Sequence, residues 1–256
     1  MKKLLSIAVC ASAVAAFATD TEIPLGDIGV TAITSDLTNT IVGVSYKQLG
    51  DGDSNITISN IVKTANLTAG DLLHVFKDAS TYETYTLKSG TGGVLYWDKT
   101  KNYIINGQGD LVEGSSTDAS IETLGPGAGF WLVRKGWNGA SAFTFYIYGK
   151  PVTSAVSTSL TAGTAALIGN PTQTAQVPTI TTPVAGDVIQ IPDSANAALR
   201  VTKYKYMADK TDNNTLKWTT KKNGSYVRTL PSIAPGMGFW YIPVSGNAPT
   251  ISWSNN

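Results

Sequence analysis

The chain has 256 residues, of which one is cysteine, one is histidine and three are methionine, and only 14% are charged. Each shortage excludes something. A single Cys10 forms neither an intramolecular disulfide framework nor a thiolate-rich metal site. A charged fraction well below the usual quarter argues against a helix-rich protein, whose solvent faces are normally coated with Glu and Lys. A formal net charge of +1 lacks the cationic excess of a generic nucleic-acid binder, so no nucleic acid is expected as a partner. Long apolar runs are also missing after the first 18 residues, and nothing later is long and apolar enough to span a bilayer as a helix.

What is abundant points to β-structure. The sequence holds 33 Thr, 21 Ser, 25 Gly and 11 Tyr. Thr and Tyr suit a half-buried pleated surface, and Gly and Ser suit its turns. With 42% hydrophobic and 9% aromatic residues there is enough apolar surface to offset the entropy of ordering, which excludes a disordered chain.

Residues 1–18 read as a signal peptide. Lys2 and Lys3 supply the positive end, Leu4 to Phe17 the apolar stretch, and Ala16-Phe17-Ala18 a small-x-small cleavage site. The mature chain is expected to begin at Thr19, with residues 19–28 as an extended N-terminal arm. Cleavage leaves 256 − 18 = 238 residues and removes Cys10. Lipidation at Cys10 is disfavoured, because Ile7-Ala8-Val9 places a branched residue where a lipid-attachment signal wants a small one, and the apolar run continues past it. The expected location is outside the cytoplasm, whether extracellular, cell surface or periplasmic, with no membrane insertion after cleavage.

Self-comparison reveals two copies of one unit. Pro126-Gly127-Ala128-Gly129-Phe130-Trp131 recurs as Pro235-Gly236-Met237-Gly238-Phe239-Trp240. In the same order, Ala69-Gly70-Asp71-Leu72-Leu73 matches Ala185-Gly186-Asp187-Val188-Ile189, Leu95-Tyr96-Trp97 matches Leu216-Lys217-Trp218, and Ile41-Val42-Gly43 matches Leu167-Ile168-Gly169. Ala32-Ile33-Thr34 with Leu37-Thr38 likewise matches Ala155-Val156-Ser157 with Leu160-Thr161. The offsets drift, as expected when strands are kept and loops change length. From Trp97 to Pro126 is 29 residues and from Trp218 to Pro235 is 17, so the first copy carries a longer loop around Ile105 to Thr117.

Short β-branched or aromatic runs bounded by turn residues predict strands at Leu72 to Phe76, Tyr82 to Leu87, Phe130 to Val133 and Phe143 to Tyr148. The second copy offers Val188 to Ile191, Leu199 to Tyr206, Phe239 to Ile242 and Thr250 to Trp253. The expected fold is all-β, with two tandem related β-sandwich or partly closed β-barrel domains at 29–149 and 150–256. The two Phe-Trp turns and two Ala-Gly-Asp strand starts resemble exported bacterial repeat proteins whose β domains end in a Pro-Gly-x-Gly-Phe-Trp turn. That resemblance implies a secreted or cell-surface protein and carries over no catalytic residue.

Candidate sites are few. His74 is replaced by Gln190 at the matching strand position, which reads as an outward polar place rather than a general base. Asp71 and Asp187 read as caps of the turns before their strands. Asp51, Asp53 and Asn55 alternate like the oxygen ligands of a calcium loop, but Ile56 stands where Gly is wanted and Val62 where Glu is. A Gly-Asp hairpin turn is the simpler reading, and no cofactor is expected. Trp97 with Trp218 and Trp131 with Trp240 form matched pairs and are expected in the core. Trp137 lies in a turn-rich segment with two cations and, with Tyr146 and Tyr148, is the candidate stacking surface for a carbohydrate. Lys221 and Lys222 read as a solvated turn.

The neutral total conceals an asymmetry. Residues 19–150 carry 9 basic and 14 acidic side chains, net −5, and residues 151–256 carry 8 and 4, net +4. The leading expectation is a non-enzymatic secreted or cell-surface structural or interaction protein that associates with itself head to tail. The alternative is a carbohydrate-binding module with surface glycans as partner.

Overall fold

The computed structural model describes residues 28–35, 39–47, 56–58, 67–76, 82–99, 103–105, 111–113, 123–134, 143–192, 201–222 and 224–254. Among them every regular element is a strand, apart from one short 3-10 turn at Thr91–Gly93. The first half contributes β1 (Gly29–Ser35), β2 (Asn39–Gly43), β3 (Tyr46–Lys47), β4 (Ile56–Thr57), β5 (Leu72–Phe76) and β6 (Tyr82–Ser89). It continues with β7 (Leu95–Lys99), β8 (Tyr103–Ile105), β9 (Leu111–Glu113), β10 (Thr123–Leu124), β11 (Gly129–Val133) and β12 (Phe143–Pro151). The second half contributes β13 (Val156–Ser159), β14 (Ala166–Gly169), β15 (Thr179–Thr181), β16 (Val188–Pro192) and β17 (Val201–Asp209). It ends with β18 (Thr215–Lys222), β19 (Ser225–Val227), β20 (Gly238–Ile242) and β21 (Thr250–Trp253).

The pairing is antiparallel throughout, and the two halves use one strand order. The larger sheets run β2-β11-β5-β6-β7 and β14-β20-β16-β17-β18-β19, and the smaller ones β1-β12-β3 and β13-β21-β15. Register agrees as well: Phe130 faces Val42 and Trp131 faces His74, while Phe239 faces Ile168 and Trp240 faces Gln190. Neither large sheet closes on itself. β12 runs on through Lys150 and Pro151, which pair with Lys47 and Tyr46, so these residues are strand rather than linker.

Period-2 alternation sends one side of each large sheet into a hydrophobic cluster. In the first half Leu73, Val75, Tyr85, Leu87, Trp97, Phe130 and Leu132 meet Tyr46 and Ile147 of the smaller sheet. In the second, Ile168, Ile189, Ile191, Tyr204, Phe239 and Tyr241 meet Ile251 and Trp253. Burying one such large side chain stabilises by about 1.5–3 kcal/mol relative to leaving it exposed.

Two expectations are corrected here. Trp97 is buried in the core and Trp218 packs against its counterpart cluster, but Trp131 and Trp240 are only half-buried and lie outside both. The reason is the alternation inside Gly-Phe-Trp: Phe130 and Phe239 take the inward place, and the next residue must point outward. Lys221 and Lys222 are not a turn either; they end β18, paired with Tyr226 and Ser225 of β19.

Candidate functional site

The duplicated motifs converge on a seam between the halves. Each Pro-Gly pair forms a tight turn, closed by Ala128 N–H donating to Gly125 O (3.0 Å) and Met237 N–H donating to Ala234 O (3.1 Å). Gly127 and Gly236 take φ of 88° and 75°, the left-handed region that a type II turn requires at its third position. Each turn then bonds to both halves. Gly127 O accepts from Gly169 N–H (2.9 Å) and Gly236 O accepts from Gly43 N–H (2.9 Å), crossing the seam in both directions. Val44 N–H donates to Ala128 O (2.9 Å) and Asn170 N–H to Met237 O (3.1 Å), each within its own half. The result is an approximate two-fold arrangement in which Gly43 and Gly169 touch main chain to main chain.

Buried polar groups beside the seam complete it. Ser45 Oγ donates to Asn170 O (2.8 Å) and accepts from Gly236 N–H (3.0 Å), and Gln173 Nε2 donates to Ser45 O (3.1 Å). The Asn170 amide donates to Thr174 O (2.8 Å) and Ile233 O (2.7 Å) and accepts from Thr172 N–H (2.8 Å). A buried amide with these partners holds one orientation, because any other leaves unpaired groups that cost about 1–3 kcal/mol each.

Asp71 and Asp187 are fully buried and accept the N–H of Thr68 and of Val184, each at 2.9 Å, which holds the turn before the strand. Their charge is stabilised differently. Arg134 Nε lies 3.6 Å from Asp71 Oδ2. Asp187 instead accepts from Tyr241 Oη (2.7 Å), Val244 N–H (2.8 Å) and Asn247 Nδ2 (2.7 Å). Leu132 occupies the first-half place of Tyr241.

On the outer face an aromatic row crosses the seam. His74 meets Tyr82 edge-on at 5.0 Å and Trp131 at 5.9 Å, and Phe76 meets Tyr82 at 5.3 Å and Trp240 of the other half at 4.5 Å. Tyr82 is 52% exposed, so the row opens to solvent at that end. His74 Nδ1 lies 2.8 Å from Thr84 Oγ1, with no carboxylate among its described partners, and burial lowers its pKa from the ordinary 6.5. Stability from a depressed His pKa is present in full above 6.5 and is lost as pH falls. His74→Gln is therefore expected to change stability at pH 7.5 by less than about 1 kcal/mol, since Gln190 already fills that place, and to flatten the stability-pH curve between 7 and 5. Urea melts of both proteins across that range test this.

Tyr146 and Tyr148 stand two apart on β12, so they share the outer face of the smaller sheet, and both are half-buried. They lie on the smaller sheet, whereas the aromatic row lies on the large one. Burial pushes the Tyr148 phenol up to about 12, and burial followed by the bond to Asp187 pushes Tyr241 up further. A raised phenol pKa contributes stability that is intact below 10 and lost as pH climbs toward the folded value. Spectrophotometric titration is expected to show these two ionising late, with alkaline unfolding. If all 11 tyrosines ionise together near 10 in folded protein, this burial is refuted.

Trp137, Asp51, Asp53 and Asn55, like the signal peptide and residues 19–27 of the N-terminal arm, lie outside the described residues. Among the described residues no cluster of His, Cys, Asp and Glu is arranged to hold a metal, and no helix is long and apolar enough to cross a membrane. Sequence reasoning did not find the seam, although a glycine recurring at one strand position is itself a mark of close backbone approach. Comparison with protein-family models, curated proteins and solved structures finds no match for the chain.

Proposed function

We propose that the chain is exported, loses residues 1–18, and acts as a non-enzymatic structural or interaction protein of two related β-sandwich domains that associate head to tail. One observation carries this reading. The large sheets approach each other at the seam through β2 and β14, which among the described residues leaves β7 and β19 as outer edges on the sides away from it. Sheet edges present unpaired backbone groups, and a contact between two unlike ends is heterologous, so it extends into a filament or layer instead of closing. The net charges of −5 and +4 on the two parts of the sequence favour that pairing of unlike ends. Electron microscopy and sizing at low and high salt test it. Ordered polymers that dissolve as salt rises are the expected result, and a monomer indifferent to salt and concentration refutes the reading.

The carbohydrate-binding reading has its own support in Tyr146 and Tyr148 sharing one face and in the exposed Tyr82. A glycan-array comparison of the wild type with Trp137→Ala and Tyr82→Ala tests it. Loss of a sugar signal in either variant supports it, and the absence of any signal removes it.

A further inference from the structure

We propose that the outer face of β17 and β18 is a docking surface for the acidic stretch between Lys101 and Arg134 of a second copy of this chain. This rests on the head-to-tail reading and names its contact.

Register puts four lysines on one face. Lys203 stands opposite Gln190, Lys205 opposite Thr219, Lys217 opposite Met207, and Lys221 opposite Tyr226. That face is the reverse of the one sending Tyr204 into the core. Lys217 is bound to Asp209 and Asp212. Lys203, Lys205 and Lys221 are exposed and make no ion pair among the described residues. Residues two apart on a strand are separated by about 7 Å, so like charges are held near one another with nothing described between them.

The fold does not need these lysines. At the places of Lys203, Lys205 and Lys217 the first half has Thr84, Thr86 and Tyr96, and its one lysine on that face, Lys88, is neutralised by Asp98. Two sheets of the same strand order thus differ in charge on one face. The complementary difference lies in the other half. Between Lys101 and Arg134 there are four acids, Asp110, Glu113, Asp118 and Glu122, and no lysine or arginine. This stretch contains the extra residues of the longer first-half loop, 29 from Trp97 to Pro126 against 17 from Trp218 to Pro235.

The head-to-tail reading makes this a contact between molecules. The acidic stretch leaves the first large sheet from β7, whereas the lysines lie on β17 and β18 of the second. A basic face of one copy and an acidic segment of the next give a heterologous contact whose specificity is electrostatic.

The test is charge exchange in the purified full-length protein, followed by sedimentation velocity at about 50 mM and 500 mM salt. The basic-face variant is Lys203→Glu/Lys205→Glu/Lys221→Glu, and the acidic variant is Asp110→Lys/Glu113→Lys/Asp118→Lys. Each alone is expected to weaken association at least about tenfold, and an equimolar mixture of the two to form alternating hetero-complexes. The Lys203→Thr/Lys205→Thr variant, which borrows the first half's residues, is expected to melt like the wild type yet associate less. If the wild type polymerises and the variants do so equally, this contact is wrong while head-to-tail association stands. If the wild type is a monomer at every concentration, the functional reading falls and this contact with it. A monomer retained by an acidic polysaccharide through the three lysines would assign the face to a glycan and overturn the proposal.

Discussion

Replacing Gly169 by alanine is expected to destabilise the protein by about 3 kcal/mol or more, the upper end for overpacking. A methyl group there would sit 2.3 Å from Gly43 Cα, 2.7 Å from Ala128 O and 2.9 Å from Val44 N. All three are main-chain atoms of the hydrogen-bonded backbone at the seam, so no side chain can swing aside to make room. Gly43→Ala meets the same obstacle, with Met237 O at 2.5 Å and Gly169 Cα at 2.6 Å. For a chain of this size the loss corresponds to a melting point lower by about 6–12 °C. Gly90→Ala is the control, because its nearest neighbour is the ring of Tyr96 at 3.3 Å, an exposed side chain free to move. Calorimetry of the three variants decides the matter. A loss below about 1 kcal/mol for Gly169→Ala would mean that the halves do not meet main chain to main chain. Because the seam sets the outer sheet edges apart, the same substitution is expected to abolish any head-to-tail polymer.

Asp187→Asn carries the second large effect. Its carboxylate accepts from Val184 N–H, Val244 N–H, Tyr241 Oη and Asn247 Nδ2. An amide offers one acceptor oxygen and brings two donors of its own, so it sets donor against donor in a fully buried place. The expected loss is about 3 kcal/mol, from orphaned donors together with the lost charge-assisted bonds. Tyr241→Phe removes one donor and is expected to cost about 1–1.5 kcal/mol. The double variant should lose less than the sum of the two, since the phenol orphaned by Asn is then absent. Strict additivity in urea melts would show that the two groups do not act on one another. Leu132 at the first-half place of Tyr241 indicates that an apolar residue is compatible with the strand, so the phenol serves the carboxylate and not the fold as such.

Much of the fold was legible because alternation and turn residues act locally. Leu72–Phe76 and Thr250–Trp253 fall where β-branched and aromatic runs placed them, and the Pro-Gly turns where Pro and Gly preset the backbone. The two Asp residues act on their turns as short-range chemistry suggests. The tryptophans of Gly-Phe-Trp misled, since an aromatic pair says that burial is wanted but not which face receives it. The lysine face was invisible for a related reason. Lys203 and Lys205 alternate in sequence, but Lys217 and Lys221 join them only through the pairing register.

The sequence by itself determined an all-β chain, its repeated motifs and the charge carried by each half, because composition and period-2 patterning are properties of short segments. Only the tertiary structure decided why the motifs repeat. Gly43 and Gly169, 126 positions apart in the sequence, meet because each glycine leaves its backbone bare where two main chains touch. The recurring glycine marks a close backbone approach, but nothing local names its partner, since the two glycines belong to different sheets.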